Sequence, residues 1–205
     1  RKSIVLLKNE PVNGQTLLPL SASLKKIALI GPLADNKLDQ LGTWHASGDA
    51  SKSVTVLQGL RQALPGVEIS YAKGADTQSA DEAGFAEALA LAAGADLVIL
   101  AIGEDYRQSG EAASRSELGL PGGQQALLEK IAATGKPVIC IVMAGRPLVL
   151  SWMHENIAAI VNAWHLGTMS GPAIADVLTG AYNPSGKLVI SFPRNEGQIP
   201  VFYSM

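Results

Sequence analysis

The chain has 205 residues, 47% hydrophobic and 17% charged, a size at which folding buries roughly 70% of the extended chain's surface, so one ordinary core is expected and a disordered chain is excluded. The 16 basic residues against 18 acidic ones leave a net charge of −2, which offers no footprint for neutralising a nucleic-acid backbone. The longest apolar runs, 97–102 and 138–144, fall far short of the roughly 20 residues needed to cross a bilayer.

Taken in chain order, residues 1–23 show no strand that opens a sheet. Residues 2–8 read as a short helix, and 9–23, bearing Pro and Gly, as a connector. The segment is therefore expected to be an arm, with 24–205 as the domain. Strands are expected at 26–30, 67–71, 96–102, 137–143, 158–163 and 187–192. The third and fourth are runs of Val, Ile and Leu without alternation, which requires cover on both faces. Helical patterns lie between the strands: 54–64 before Pro65-Gly66, 124–133, and 169–178 before Gly180. In another, Ser79 and Glu82 form a capping box ahead of Phe85, Ala88, Leu89 and Ala92, with Gly94 as the stop. Strand, helix, strand, helix with right-handed crossovers gives an α/β three-layer sandwich. Its six-stranded sheet is mostly parallel with helices on both faces, and 187–192 is expected as its antiparallel edge strand.

Most stock motifs are missing. No G-x-G-x-x-G follows the first strand, where Gly31-Pro32 stands, so a dinucleotide has no fingerprint. Gly186-Lys187 precedes a strand pattern instead of opening a helix, which rules out a phosphate-binding loop. Residues 167–171 place Met169 where a nucleophile elbow needs Ser. His45, His154 and His165 lack zinc-ligand spacing, and the single cysteine, Cys140, sits in an apolar run as a small core residue. No cofactor and no metal site are expected.

The informative stretch is 103–124, a long polar connection directly after the third strand, where compact α/β units use two to six residues. It carries Glu104, Asp105, Glu111 and Glu117 with Arg107 and Arg115, at the end of the sheet where such folds bind ligands. Asp105 and Glu117 are expected to be solvated. By spacing alone, a catalytic loop and a solvated, flexible loop fit equally well.

Several strings carry a resemblance: Leu120-Pro121-Gly122-Gly123-Gln124, Gly145-Arg146-Pro147, and above all Asn183-Pro184-Ser185-Gly186-Lys187-Leu188 running into Ser191-Phe192-Pro193. Together they make the chain similar to the C-terminal α/β sandwich domain of glycoside hydrolase family 3, its nearest likeness being to bacterial β-glucosidases of the periplasm. The opening Ser3 to Asn9 and Leu18-Pro19-Leu20 resemble the connector that enters that domain. The resemblance implies a split active site, in which an N-terminal (β/α)8 barrel of the same polypeptide supplies an aspartate nucleophile and a loop of this domain supplies the glutamate acid/base. The family pattern Glu-Gly-x-Asp-Arg ahead of Leu-Pro-Gly-x-Gln stands here as Glu111-Ala112-Ala113-Ser114-Arg115, so Glu111 is the implied acid/base. Ala112 and Ser114 depart from it.

Retaining hydrolysis needs one carboxyl to protonate the leaving oxygen and another to attack, roughly 5 to 5.5 Å apart. A long loop reaching over a neighbour's pocket suits that demand. Glu104 at the strand end is the rival carboxylate. Glu104, Arg115 and Trp44 are the expected substrate-binding residues, Trp44 falling where the family often places an aromatic beside the leaving sugar. At 166–171 the family commonly has Pro-Gly-x-Glu-Gly-Gly, and Met169 replaces the glutamate. The expected substrate is a β-glucoside or oligosaccharide, and the expected location periplasmic or secreted. The competing reading is a non-catalytic α/β module that binds a small ligand or a partner protein at its strand ends.

Overall fold

Alternation along the strands decides the layers of the computed structural model, which describes residues 1–202 and Ser204. Val98, Leu100 and Ile102 pack into one apolar cluster, while Leu97, Ile99 and Ala101 pack into another. Successive strand side chains leave opposite faces, so a run with no polar interruption is what a strand covered on both sides demands. Every residue of this strand is buried.

The six strands are β1 (Val5–Asn9), β2 (Lys26–Ile30), β3 (Glu68–Ala72), β4 (Leu97–Gly103), β5 (Val138–Met143) and β6 (Ala159–Asn162), in the spatial order β1-β6-β5-β4-β2-β3. All neighbours are parallel except β1 with β6, which is antiparallel and carries an irregularity between Leu6 and Lys8. The helices are α1 (Val56–Ala63), α2 (Phe85–Gly94), α3 (Gln124–Ala132), α4 (Ser151–Asn156) and α5 (Ser170–Thr179). Residues of α1 and α5 close one face, and residues of α2, α3 and α4 close the other. The α/β three-layer sandwich is thus present, with one antiparallel edge strand.

That edge strand is not the expected one. Residues 2–8 were expected as a helix and 187–192 as the edge strand; instead β1 lies against β6 and 187–192 is irregular. Ile4 to Leu7 is an apolar run of four, too short to show a period and able to fill an edge. Once β1 takes the flank of β6, the later segment has no ladder to join. Just ahead of it, Gly186 N–H donates to the carbonyl of Ile4, the residue before β1, at 3.1 Å, and the segment itself leaves Val189 88% exposed.

The capping box also moves. Ser79 and Glu82 do not open α2, whose first residue is Phe85, because the Ser79 carbonyl is taken by Gly123 N–H at 2.9 Å. The box is at Thr55 and Gln58, at the start of α1. The short helix α4 carries no periodic signal long enough to be read. Cys140 is fully buried, and desolvation pushes its thiol up.

Candidate active site

Five parallel strands end at one rim of the sheet. Long segments leave that rim: 31–55 after β2, 73–84 after β3, 104–123 after β4, 144–150 after β5 and 163–169 after β6. Because β2 lies between β3 and β4, the chain winds away from it in opposite directions. The loops after β2 and β4 therefore rise on either side of the point where the strand order reverses, the place at the carboxyl rim where open α/β sheets bind ligands. These two loops carry Trp44 and Glu111.

The loop after β4 is anchored at its base by buried charge. The Glu104 side chain is 0% exposed, with Oε1 2.6 Å from Arg115 Nη1 and 2.9 Å from Arg146 Nε. The Arg115 contact is an aligned hydrogen bond, whereas the Arg146 Nε contact is an ion pair outside hydrogen-bond alignment, and Glu104 Oε2 has no partner among the described residues. Arg115 takes its carboxylate from Glu104, where the family pattern offers an adjacent acid and this chain has Ser114. Its Nη2 also donates to the Gly119 carbonyl at 3.1 Å. A glutamate enclosed in this way holds the loop and presents no carboxylate to solvent, which is not the arrangement expected of a substrate contact.

Asp105 corrects a second expectation, because it is 1% exposed and not solvated. It accepts hydrogen bonds from Arg107, Gln78 and, at 2.9 Å, Thr77. Burial pushes its carboxyl up, but those bonds outweigh burial and hold it below the usual carboxylate range. Asp39 accepts from Tyr106 N–H at 3.2 Å and fastens the loop after β2 to the same base. Burial raises the Asp39 carboxyl, against the Tyr106 bond. Glu117 is exposed, as expected.

Toward the tip the two loops touch. Thr43 Oγ1 is placed to donate to the carbonyls of Tyr106 and Ser109. Gly110 sits at φ +103°, and a β-carbon there would fall 2.6 Å from Thr43 Cγ2, so only glycine permits both the backbone angle and the approach. Trp44 and Glu111 are each one residue beyond this contact. Trp44 is 72% exposed, leaving an indole face open for a sugar's C–H surface. Glu111 is exposed and engaged by neither of the ion pairs that hold the loop base. Ala112 adopts φ 60° where the family pattern has glycine, a left-handed conformation that costs a residue with a β-carbon about 1–2 kcal/mol.

Met169 is 56% exposed at the mouth of α5 and makes no side-chain cap, so the glutamate missing from that motif is replaced by an exposed thioether. Neighbouring His165 lies against Gly42, and its Nε2 is buried without a partner among the described residues. Burial lowers its pKa, while the Glu104 backbone and the Asp105 charge pull it upward. The folded ring thus titrates below the ordinary 6.5. As pH falls past that value the unfolded chain binds the proton first, and stability declines until the folded ring titrates too. His165→Phe is expected to flatten the fall in calorimetric Tm as pH drops below 6.5. The lowered carboxylates of Asp49, Asp76, Asp96 and Asp105 act chiefly around and below 3.8, and like Asp39 they are present in both proteins. Equal slopes would show that the ring is hydrated.

Sequence reasoning gave no role to Thr43, Asp39 or Arg146. Only Arg146 had a signal, its place in Gly145-Arg146-Pro147. The profile of the Glycosyl hydrolase family 3 C-terminal domain matches residues 4–205. The chain is 43% identical over 225 residues to the periplasmic beta-glucosidase of Salmonella typhimurium, covering 100% of this chain and 29% of that protein. It is 42% identical over 208 residues to a beta-xylosidase of Formosa agariphila, covering 98% and 28%. Among solved structures, the beta-glucosidase from Listeria innocua in complex with isofagomine superimposes with a TM-score of 0.89 at 37% identity, covering 98% of this chain and 27% of that one. The chain thus spans less than a third of the length of these relatives.

Proposed function

The chain belongs to glycosyl hydrolase family 3 as its C-terminal domain, and on that premise we propose that it is the acid/base-bearing part of an exo-acting retaining β-glucosidase. One observation carries the reading: Glu111 stands exposed at the tip of a loop held on both sides of it, at the rim where the strand order reverses. In this reading a barrel domain earlier in the same polypeptide supplies an aspartate nucleophile. As that aspartate bonds to the anomeric carbon, Glu111 passes its proton to the departing oxygen and the glycosidic bond breaks. Glu111 then takes a proton from water, which displaces the aspartate and releases the sugar with its configuration retained. Trp44 stacks against the leaving sugar.

Glu104 and Arg115, buried against each other, serve this reading as supports of the loop and not as sugar contacts. Residues 1–23 lead in from the barrel, with 5–9 built into the sheet. The Salmonella relative's periplasmic location supports the same placement here, and no helix among the described residues is long and apolar enough to cross a membrane.

We take glucose as the sugar, since the Salmonella and Listeria relatives are β-glucosidases, against a β-xylosidase at 42% identity. The full-length enzyme is expected to hydrolyse an aryl β-glucoside with kcat/KM more than about tenfold above that for the matching xyloside, the difference being one hydroxymethyl group that a glucose pocket hydrogen-bonds. The 205-residue chain alone should release no sugar from either. A preference for the xyloside would overturn the substrate reading, and turnover by the chain alone would overturn the split site.

A further inference from the structure

We infer that Arg146, on the loop after β5, is a positioning residue for Glu111, an inference that rests on the acid/base reading above. Its guanidinium spans the segment that carries Glu111. Nη2 donates to the Gln108 carbonyl and, at 2.6 Å, to the Ala113 carbonyl, one acceptor before Glu111 and one after it. Nε lies 2.9 Å from Glu104 Oε1, so the same side chain ties the bracketed segment to the carboxylate at the end of β4. The two loops also meet backbone to side chain, since a β-carbon at Gly145 would fall 2.1 Å from Ser109 Oγ. The other side-chain anchors differ: Thr43 holds Tyr106 and Ser109, both ahead of Glu111, and Arg115 joins the Glu104 carboxylate to the Gly119 carbonyl, farther out on either side. Among the described residues, Arg146 is thus the side chain that donates to main-chain carbonyls on both flanks of Glu111.

A planar guanidinium can face two carbonyls and a carboxylate at once. A lysine ammonium keeps the charge but gathers its donors at one point. Arg146→Lys therefore retains a cation beside Glu104, so the protein stays folded, while the bracket opens.

A proton donor displaced by about 1 Å loses on the order of 10²-fold in rate, and the loss falls on substrates that need protonation. In the full-length enzyme, Arg146→Lys is expected to lower kcat/KM for a phenyl β-glucoside by about 10- to 100-fold, and for the dinitrophenyl glucoside by less than about threefold. The alkaline limb of the phenyl pH profile should shift, and the thermal midpoint should confirm that the variant is folded. Glu111→Ala is run beside it. Equal loss on both glucosides, or no loss, in Arg146→Lys while Glu111→Ala remains leaving-group dependent and is rescued by azide overturns the inference alone. A Glu111→Ala variant with equal losses and no azide rescue overturns the acid/base reading, and the positioning role falls with it.

Discussion

Glu111→Ala in the full-length enzyme is expected to lower kcat/KM for a phenyl β-glucoside by about 10²- to 10⁴-fold, the usual contribution of a positioned general acid. The dinitrophenyl glucoside should lose less than about tenfold, because its leaving group departs as a stable anion and asks little of a proton donor. Release of the covalent intermediate also slows, since no base remains to activate water. Azide needs no such base, so its addition should restore kcat and yield the β-glucosyl azide. The geometry makes this a clean substitution, because Glu111 is exposed and takes part in neither of the ion pairs holding the loop. Its removal leaves no buried partner unpaired, and the thermal midpoint should stay within about a degree of the parent. Equal losses on both glucosides would exclude Glu111 as the proton donor and return the question to the other carboxylates of the rim.

Glu104 should respond in the opposite way. Glu104→Gln keeps the shape of the side chain but leaves Arg115 and Arg146 facing a neutral amide inside the protein, with Arg115 only 17% exposed. Removing one partner of a buried ion pair costs about 3–5 kcal/mol, mostly the penalty of leaving charge behind. For a chain of this size that corresponds to a fall in Tm of roughly 6–20 °C. Scanning calorimetry on the 205-residue chain suffices, since the effect needs no substrate. A Tm unchanged within error would mean that both guanidiniums find water and that the loop base is open. Paired with the result for Glu111, the contrast separates the carboxylate that holds the loop from the one proposed to donate the proton at its tip, although only six residues lie between them in the sequence.

The central strands could be read in the sequence because continuous burial writes itself as unbroken Val, Ile and Leu, as in β4 and β5. Four helices could be read from their spacing, and the rim loop from its length and polarity. What escaped depends on partners distant along the chain. Whether Ile4 to Leu7 or Leu188 to Ile190 takes the edge is decided by which reaches β6, not by either segment's composition. The misplaced capping box has the same cause, a Ser79 carbonyl claimed by Gly123. At the site, a motif pointed to Glu111, while Glu104 was read from its place at the strand end as a rival carboxylate and substrate contact, and Asp105 as a solvated group. Both are buried because Arg115, Arg146, Thr77 and Gln78 converge on them, and that convergence exists only in three dimensions.

The reversed edge strand has a consequence for how the whole polypeptide is laid out. Val5 pairs with Asn162 and Asn9 with Ala159, so the incoming chain joins the sheet on the side where the other strands discharge their loops, then runs down to the far side before the second strand begins. On the split-site proposal, polypeptide entering ahead of β1 would therefore arrive at the rim bearing Trp44 and Glu111, and no tether would have to cross the sheet to bring the two parts of that centre together.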